Sequence, residues 1–172
     1  MLTGLGPLVD PSTRLLVLGS FPGVASLTAQ QYYGHPRNHF WPILFAIFDD
    51  FHVKSGDSHR IDYLGRYQIR TDWLLMHGVG LWDVYASCER EGSLDRQIRH
   101  AQVNDLSALR QRCPQLAAIA HNGGESFKHA RHTQALGLPV HKLPSTSPAN
   151  ASWRFERKLA AWREVFQLHG LV

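Results

Sequence analysis

Four short apolar runs, separated by segments with helical periodicity, limit the folds that this 172-residue chain can adopt. The runs cover residues 15–18, 80–85, 116–120 and 140–143. Strands that are apolar at nearly every position are typical of a parallel sheet covered on both faces. The pattern therefore predicts an α/β fold, a three-layer sandwich with a central, mostly parallel, four-stranded sheet.

The segments between and after the runs supply the predicted outer layers. Predicted helices cover residues 26–31, 38–48, 63–76, 105–113, 124–130 and 152–168. A polar segment, residues 51–60, predicts an exposed loop. Because the chain shows no repeat or low-complexity linker and is long enough to bury its own core, we expect residues 1–172 to form a single domain.

Charge and cysteine content exclude little but indicate a compartment. The net charge of +4 and the isoelectric point near 9.3 are compatible with a polyanionic partner without requiring one. Cys88 and Cys113 lie far apart, in no metal-ligand spacing, and are expected to be free thiols of a reducing cytoplasm. No apolar run approaches the roughly 20 residues that span a bilayer, so we expect a soluble cytoplasmic protein without a membrane anchor.

A glycine loop follows the first apolar run directly. Residues 19–23 read Gly-Ser-Phe-Pro-Gly, in which glycine permits close approach to a ligand and proline fixes φ. The loop has neither the spacing of the dinucleotide fingerprint nor the lysine of a phosphate-binding loop, and its serine is not in a hydrolase elbow. It predicts a rigid ligand contact other than a nucleoside triphosphate.

Other small-residue loops follow the remaining runs. Because ligands bind beyond the carboxyl ends of parallel strands, the loops at Gly19, Ser87, Asn122 and Ser145 are expected to converge on one side of the sheet. The chain has 11 histidines but no zinc-binding motif, so we expect no metal and no cofactor.

Several motifs together resemble a known family. They are GSFPG at 19–23, SL at 26–27, YY at 32–33, HPRN at 35–38, FW at 40–41, LWDV at 81–84 and LPSTSPA at 143–149. The set resembles the uracil-DNA glycosylase superfamily, and within it the hypoxanthine-DNA glycosylase branch, which looks related to the mismatch-specific uracil glycosylases. The resemblance runs from about residue 15 to residue 162.

The resemblance implies a metal-free and cofactor-free enzyme that flips a deaminated base out of DNA and hydrolyses its N-glycosidic bond. Hypoxanthine is the base implied first, with uracil or xanthine as alternatives. The implied partner is damaged double-stranded DNA, with single-stranded DNA as the alternative, and we expect a monomer. Two rival functions remain open, a nucleoside or nucleotide hydrolase and a non-catalytic module that binds damaged bases.

The resemblance also implies where the catalytic amide lies. The mismatch-specific relatives carry an asparagine at the position of Phe21, whose side chain cannot hydrogen-bond. Asn38 matches the position to which the hypoxanthine branch moves that amide, and it is the predicted catalytic residue. Capping of the following helix is the alternative role of Asn38, and the two roles are compatible.

The remaining implied contacts fall into two groups. The predicted base-binding residues are Gly19, Ser20, Phe21, Pro22, Gly23, Tyr33, Phe40 and Asn122. The predicted DNA-binding residues are Arg37, Ser145, Thr146, Ser147, Pro148 and Asn150. Tyr33 is expected to stack on the base, with a place in the core as the alternative, and main-chain N–H groups at Ser20 and Phe21 are expected to receive the charge of the departing base.

Two further expectations concern neighbouring side chains. Asp83 is the nearest acid, but we expect it to pair with Arg37 and to take no part in catalysis. Leu143 stands where the better-known uracil enzymes have a histidine, which argues against a pure uracil enzyme. Residues 148–150 are candidates for a wedge inserted into the vacated base stack.

Overall fold

The computed structural model describes residues 1–48 and 66–172. The strands are β1 (Leu2–Thr3), β2 (Leu15–Gly19), β3 (Val79–Asp83), β4 (Tyr85–Glu89), β5 (Arg99–Val103), β6 (Ala118–Asn122) and β7 (Val140–Leu143). The α-helices are α1 (Val24–Ala29), α2 (Phe40–Ile47), α3 (Tyr67–Met76), α4 (Leu109–Arg112), α5 (Gly124–Phe127), α6 (Ala130–Gln134) and α7 (Phe155–Leu168), and a 3-10 helix spans Asp95–Gln97.

The central sheet has four parallel strands in the order β3-β2-β6-β7. All five residues of β2 are buried, as expected for a strand covered on both faces. Gly19 pairs with Asp83 on one side, and Asn122 pairs with Leu143 further along the sheet. The carboxyl ends of the strands therefore form a row at one edge, and the predicted α/β fold is confirmed.

Alternate residues of β2 point into two separate cores, because successive side chains of a strand face opposite sides. Leu15 and Val17 belong to a cluster that contains the apolar residues of α2, α3 and α7. Leu16 and Leu18 belong to a second cluster, formed with α4 and β4. The sheet is thus the middle of three layers, as the sequence predicts.

A second sheet was not predicted from the sequence. It is antiparallel, with the order β1-β4-β5, and packs its apolar residues against the second cluster. Strand β5 has mostly exposed residues and no apolar alternation, so its sequence carries no strand signal. Ser87 lies within β4 and not in a loop, and its predicted place beside the other small-residue loops is wrong.

Several predicted boundaries differ from the structure. Strand β6 continues through His121 and Asn122, two residues beyond the apolar run, while the strand predicted over 80–85 ends at Asp83. Only residues 109–112 of the segment 105–113 are helical, and the Asp105 carboxylate accepts the Ser107 N–H at 2.9 Å in the turn before them. The helix predicted over 124–130 is divided between α5 and α6, and the last helix begins at Phe155. The predicted loop 51–60 and the start of the helix predicted over 63–76 lie outside the described residues.

Cys88 and Cys113 are both buried and unbridged, which confirms that they are free thiols. Within residues 1–48 and 66–172, no helix has the length and apolar character that crossing a membrane requires.

The tightest glycine position outside the site is Gly80 in β3. A Cβ atom there would lie 2.8 Å from Val9 Cγ1 and 2.9 Å from Thr13 Cγ2. We expect Gly80→Ala to lower the free energy of unfolding by about 1–3 kcal/mol, since the added methyl group overfills a packed space. Urea denaturation measures the change.

Gly6→Ala is the matched control, because nothing lies within 4 Å of a Cβ atom at this exposed position. We expect it to change the free energy of unfolding by less than about 1 kcal/mol. Equal destabilisation by the two variants would contradict the packing argument.

Candidate active site

A cleft of about 1220 Å³ lies at the carboxyl edge of the central sheet. The ends of three adjacent strands, at Gly19, Asp83 and Asn122, form part of its wall. Its remaining lining comes from the glycine loop, residues 32–38, residues 93–96 and residues 142–153. The edge of the sheet where the sequence predicts a site is therefore concave.

Hydrogen bonds hold the first two residues of the glycine loop in place. The main-chain oxygens of Gly19 and Ser20 accept the N–H groups of Val84 and Tyr85 at 2.8 and 3.0 Å. The Ser20 hydroxyl donates to Asp95 Oδ1 at 2.7 Å. Within the part of the chain that the structure describes, the N–H groups of Ser20 and Phe21 donate to no partner and remain available to a ligand.

Arg90 contacts both Phe21 and Pro22 of the glycine loop. Arg90 donates to the Pro22 oxygen at 2.6 Å, and its guanidinium carbon lies 5.1 Å from the centroid of the Phe21 ring. The Phe21 ring is buried in the second core cluster. Hydrogen bonding from Phe21 to a ligand therefore rests on its main chain, as the sequence predicts.

Tyr33 forms a flat aromatic wall of the cleft. Its ring stacks on Phe40 with a centroid distance of 4.0 Å and an interplanar angle of 21°. Phe40 is fully buried, does not line the cleft, and packs edge-on against Trp162. The predicted contact of Phe40 with the base is thus replaced by support of Tyr33 from behind, because the first residue of α2 turns into the core.

Asn38 lies at the cleft and has half of its amide free. Its Oδ1 accepts the Phe40 N–H at 2.9 Å, which satisfies a donor at the start of α2. Its Nδ2 donates to no partner among residues 1–48 and 66–172. Asn38 thus contacts the first turn of α2, whose N-cap residue is His39, and it keeps two amide N–H donors for a ligand.

Asn122 uses its whole amide to join two walls of the cleft. Its Nδ2 donates to the Tyr33 hydroxyl at 3.1 Å and to Thr146 Oγ1 at 2.9 Å, while its Oδ1 accepts the Thr146 N–H at 3.0 Å. Asn122 is 9 % exposed and Thr146 is 1 % exposed. Asn122 positions Tyr33, and Thr146 faces the interior instead of the DNA-facing surface for which the sequence proposed it.

The loop at 145–150 is stiffened by its own side chains. Ser145 Oγ accepts the Ser147 N–H at 3.2 Å, and Ser147 Oγ accepts the Ala149 N–H at 3.2 Å. Asn150 Nδ2 donates to the Ser145 oxygen at 3.1 Å. Together with Pro148, these residues line the cleft, which agrees with their predicted place beside a bound ligand.

Trp153 is a lining residue that sequence reasoning missed. It is half-buried, and the guanidinium carbon of Arg157 lies 3.8 Å from its ring centroid. The four-residue spacing of Trp153 and Arg157 was the available signal, but it also fits an ordinary solvated helix face. The aromatic ring and the adjacent positive charge extend the mouth of the cleft beyond the predicted residues.

Asp83 does not have the partner that the sequence predicted. Arg37 is exposed at the cleft, and no ion pair joins it to Asp83 among the described residues. Asp83 is 4 % exposed, and its Oδ2 atom is buried without a hydrogen-bond partner. The expected pairing is wrong because the parallel register places Asp83 directly beside Gly19, inside the sheet edge.

The surroundings of Asp83 favour its neutral form. Burial first, and then the negative charge of Asp95, raise the pKa of the Asp83 carboxyl to about 7, although the positive charge of Arg90 opposes the shift. A Cβ atom at Gly19 would collide with the Asp83 carboxylate and lie 3.5 Å from the Tyr33 hydroxyl. Only glycine at position 19 therefore leaves the carboxyl group room at the cleft.

Among residues 1–48 and 66–172, no group of three or more histidine, cysteine or acidic side chains is arranged to hold a metal ion.

The fold and the cleft agree with a match to a family of known enzymes. The model of the uracil DNA glycosylase superfamily matches residues 7–166, and the chain belongs to this superfamily. Its class is that of the DNA glycosylases, hydrolases that act on the N-glycosidic bond between base and sugar. The resemblance seen in the sequence motifs is confirmed.

Individual relatives cover nearly the whole chain. A hypoxanthine DNA glycosylase of Methanosarcina barkeri is 35% identical over 164 residues, which cover 95% of this chain and 97% of the relative. A hypoxanthine DNA glycosylase of Methanosarcina acetivorans is 32% identical over 165 residues, again 95% and 97% of the two chains. The solution NMR structure of a candidate uracil DNA glycosylase from M. acetivorans superimposes with a TM-score of 0.80 at 31% identity and covers 97% of each chain.

The raised pKa of the buried Asp83 carboxyl group predicts how stability depends on pH. An unfolded aspartate titrates near pH 3.9, so between about pH 4 and pH 7 the folded state binds the extra proton and stability falls as the pH rises. The Asp83→Asn variant does not lose stability in this way, because asparagine does not titrate. Relative to the wild type, we expect its free energy of unfolding to rise by roughly 2–4 kcal/mol between about pH 4 and pH 8.5, measured by urea denaturation.

Asp105→Asn is the control of opposite sign. Hydrogen bonds from Ser107 lower the pKa of the Asp105 carboxyl, so removing that carboxylate should lose relative stability as the pH rises through the acidic range. A flat difference between Asp83→Asn and the wild type across the whole range would show that Asp83 titrates normally.

Proposed function

We propose that the protein removes deaminated bases from double-stranded DNA, hypoxanthine first, by binding the flipped base in the cleft and hydrolysing its N-glycosidic bond to leave an abasic site. The observation that carries the proposal is the convergence of three features in one cleft. These are the Tyr33 ring, the free main-chain donors of Ser20 and Phe21, and the unpartnered Asn38 Nδ2. The names of the two relatives support hypoxanthine as the first substrate.

Binding of a flipped base requires a flat surface and enough space. The Tyr33 ring is fixed by Phe40 on one side and by Asn122 at its hydroxyl, so a base stacks on a preformed wall. Stacking of this kind contributes about 1–3 kcal/mol per base. A cleft of about 1220 Å³ also leaves space for the sugar and its adjacent phosphates.

Departure of the base places negative charge on a delocalised ring. The N–H groups of Ser20 and Phe21 can donate to this charge from a loop that is already rigid, and loss of one such donor typically lowers a rate by about 10² to 10³. The Asn38 amide cannot take up a proton at neutral pH and therefore cannot act as a general base. Its role is to orient the attacking water and to contact the base. The pair of carboxylates that ordinary glycosidases use is not required, because the leaving base is already stabilised as an anion.

Positive side chains at the cleft support binding to phosphates. Arg37, Arg96 and Lys142 all contribute to its lining, and Ser147 and Asn150 offer polar groups beside them. Contacts of this type position a duplex without reading its sequence. The cleft is built around one central sheet, and we propose a single-domain monomer as the active unit, with residues 148–150 as its wedge.

Single-turnover cleavage of matched duplexes tests the substrate. Duplexes carrying hypoxanthine, uracil or xanthine are incubated with excess enzyme, and abasic sites are detected by strand scission in alkali. We expect hypoxanthine to be released fastest, and binding to weaken steeply with salt because phosphate contacts release counterions. Cleavage of free deoxyinosine but of no duplex, or binding of the damaged duplex without cleavage, would contradict the proposal.

Asn38→Ala tests the amide. We expect the single-turnover rate to fall by about 10²-fold or more, with duplex affinity nearly unchanged, because the lost donors act on the reacting groups. The variant also loses the contact to the Phe40 N–H, which costs about 0.5–2 kcal/mol of stability.

Asn38→Ser separates the two effects, since serine caps a helix as well as asparagine does but lacks the amide donors. We expect it to recover stability without recovering cleavage. Wild-type cleavage by Asn38→Ser would remove Asn38 from the chemistry.

A further inference from the structure

Asp83 is the one group at the cleft whose environment the proposed chemistry leaves unexplained. Its carboxyl group is almost fully buried, and Oδ2 has no partner. An unsatisfied buried polar atom is rare in folded proteins and destabilises them. Asp83 lines the cleft, and Gly19 keeps the space beside its other oxygen, Oδ1, clear of any side chain, so the carboxyl group borders a wall that a ligand can reach.

We propose that Asp83 is a base-contacting residue whose neutral carboxyl group binds the N–H and C=O edge that hypoxanthine shares with uracil and xanthine. The inference rests on the proposed function and deepens it. A protonated carboxyl group presents an O–H donor beside a C=O acceptor, and the base edge presents the matching acceptor and donor. Deamination of adenine or cytosine creates this edge, because it replaces an amino group by a carbonyl group.

The groups that face Asp83 favour the neutral form. Tyr33 and Tyr32 approach it from the segment after α1, and both are uncharged at neutral pH. Asp95 adds negative charge from the 3-10 helix, while Arg90 supplies the only opposing positive charge among the described groups that influence it. Asn104 donates to the main-chain oxygen of Asp83 at 2.8 Å and leaves the carboxyl group unpaired. A bound base excludes the remaining water and strengthens this preference.

The same contact stabilises departure of the base. The C–N bond breaks with its electron pair going to the base, and negative charge develops on the base oxygen that accepts the Asp83 O–H. The water oxygen forms the new bond to the sugar carbon, and the proton that this water loses completes the neutral base. Asp83 ends the step in its starting protonation state, so the reaction balances without another reactant.

The pH dependence of single-turnover cleavage tests the proposal on deoxyinosine duplexes. We expect the wild-type rate to fall about tenfold per pH unit above neutrality, as the neutral acid is lost. Asp83→Asn keeps a donor and an acceptor at every pH, so its rate should remain substantial and stay level over this range. Asp83→Ala should be slower than the wild type by about 10²-fold below neutrality.

The Asp95→Asn variant tests the role of Asp83 independently, because it should shift the pH dependence of the single-turnover rate. Removing this negative charge should lower the pKa of Asp83, so the decline in rate should begin at lower pH than in the wild type. Urea denaturation confirms that each variant is folded before its rate is interpreted.

A purine without the oxygen identifies the contact on the base. Deoxynebularine lacks both the carbonyl oxygen and the adjacent N–H of deoxyinosine, and the ratio of the two rates measures what this edge contributes. We expect Asp83→Ala to reduce this ratio at least tenfold relative to the wild type, because the residue and the edge act as a pair.

The outcomes separate this inference from the proposed function. Absence of wild-type cleavage on every duplex overturns both. Wild-type cleavage of deoxyinosine, combined with the same pH profile in Asp83→Asn or the same base ratio in Asp83→Ala, overturns the role of Asp83 and leaves the proposed function standing.

Discussion

The parallel register of the central sheet determines where every group of the cleft lies. Because Gly19 pairs with Asp83 and β6 runs beside β2 in the same direction, the last residues of three strands meet at one edge. The segment that follows each of these strands therefore begins on the same side of the sheet. The cleft needs no insertion or second domain for its construction, and its precision comes from the hydrogen-bond ladder of a buried sheet.

Asn122 shows how such an edge becomes a site. One amide ties the Tyr33 hydroxyl to the loop that contains Thr146, and Tyr33 in turn rests on the first residue of α2. The stacking wall and the loop at 145–150 are thus joined by the largely buried hydrogen bonds of one amide. Buried networks of this kind are rigid when fully satisfied, which suits a site that holds its ligand in one orientation.

The sequence predicted the parallel sheet because apolar runs such as 15–18 have few other interpretations. It also placed Asn38 and the glycine loop at the cleft through their motifs. It did not predict the second sheet, since β5 has no apolar pattern, or the position of Phe40 behind Tyr33, since an aromatic residue at a helix start fits either face. The error over Asp83 has a different origin. Pairing an acid with the nearest arginine ignores register, and register alone decides that Asp83 lies against Gly19 while Arg37 is exposed.

Because Gly19 and Asp83 lie so close together, the substitutions that one position tolerates depend on the residue at the other. Any side chain at 19 meets the carboxylate at 83, so a library that varies one position at a time will find position 19 intolerant. A smaller residue at 83 opens the space that a methyl group at 19 would occupy. The two positions are therefore coupled, and a side chain at position 19 becomes compatible with the sheet edge only when the residue at position 83 is smaller.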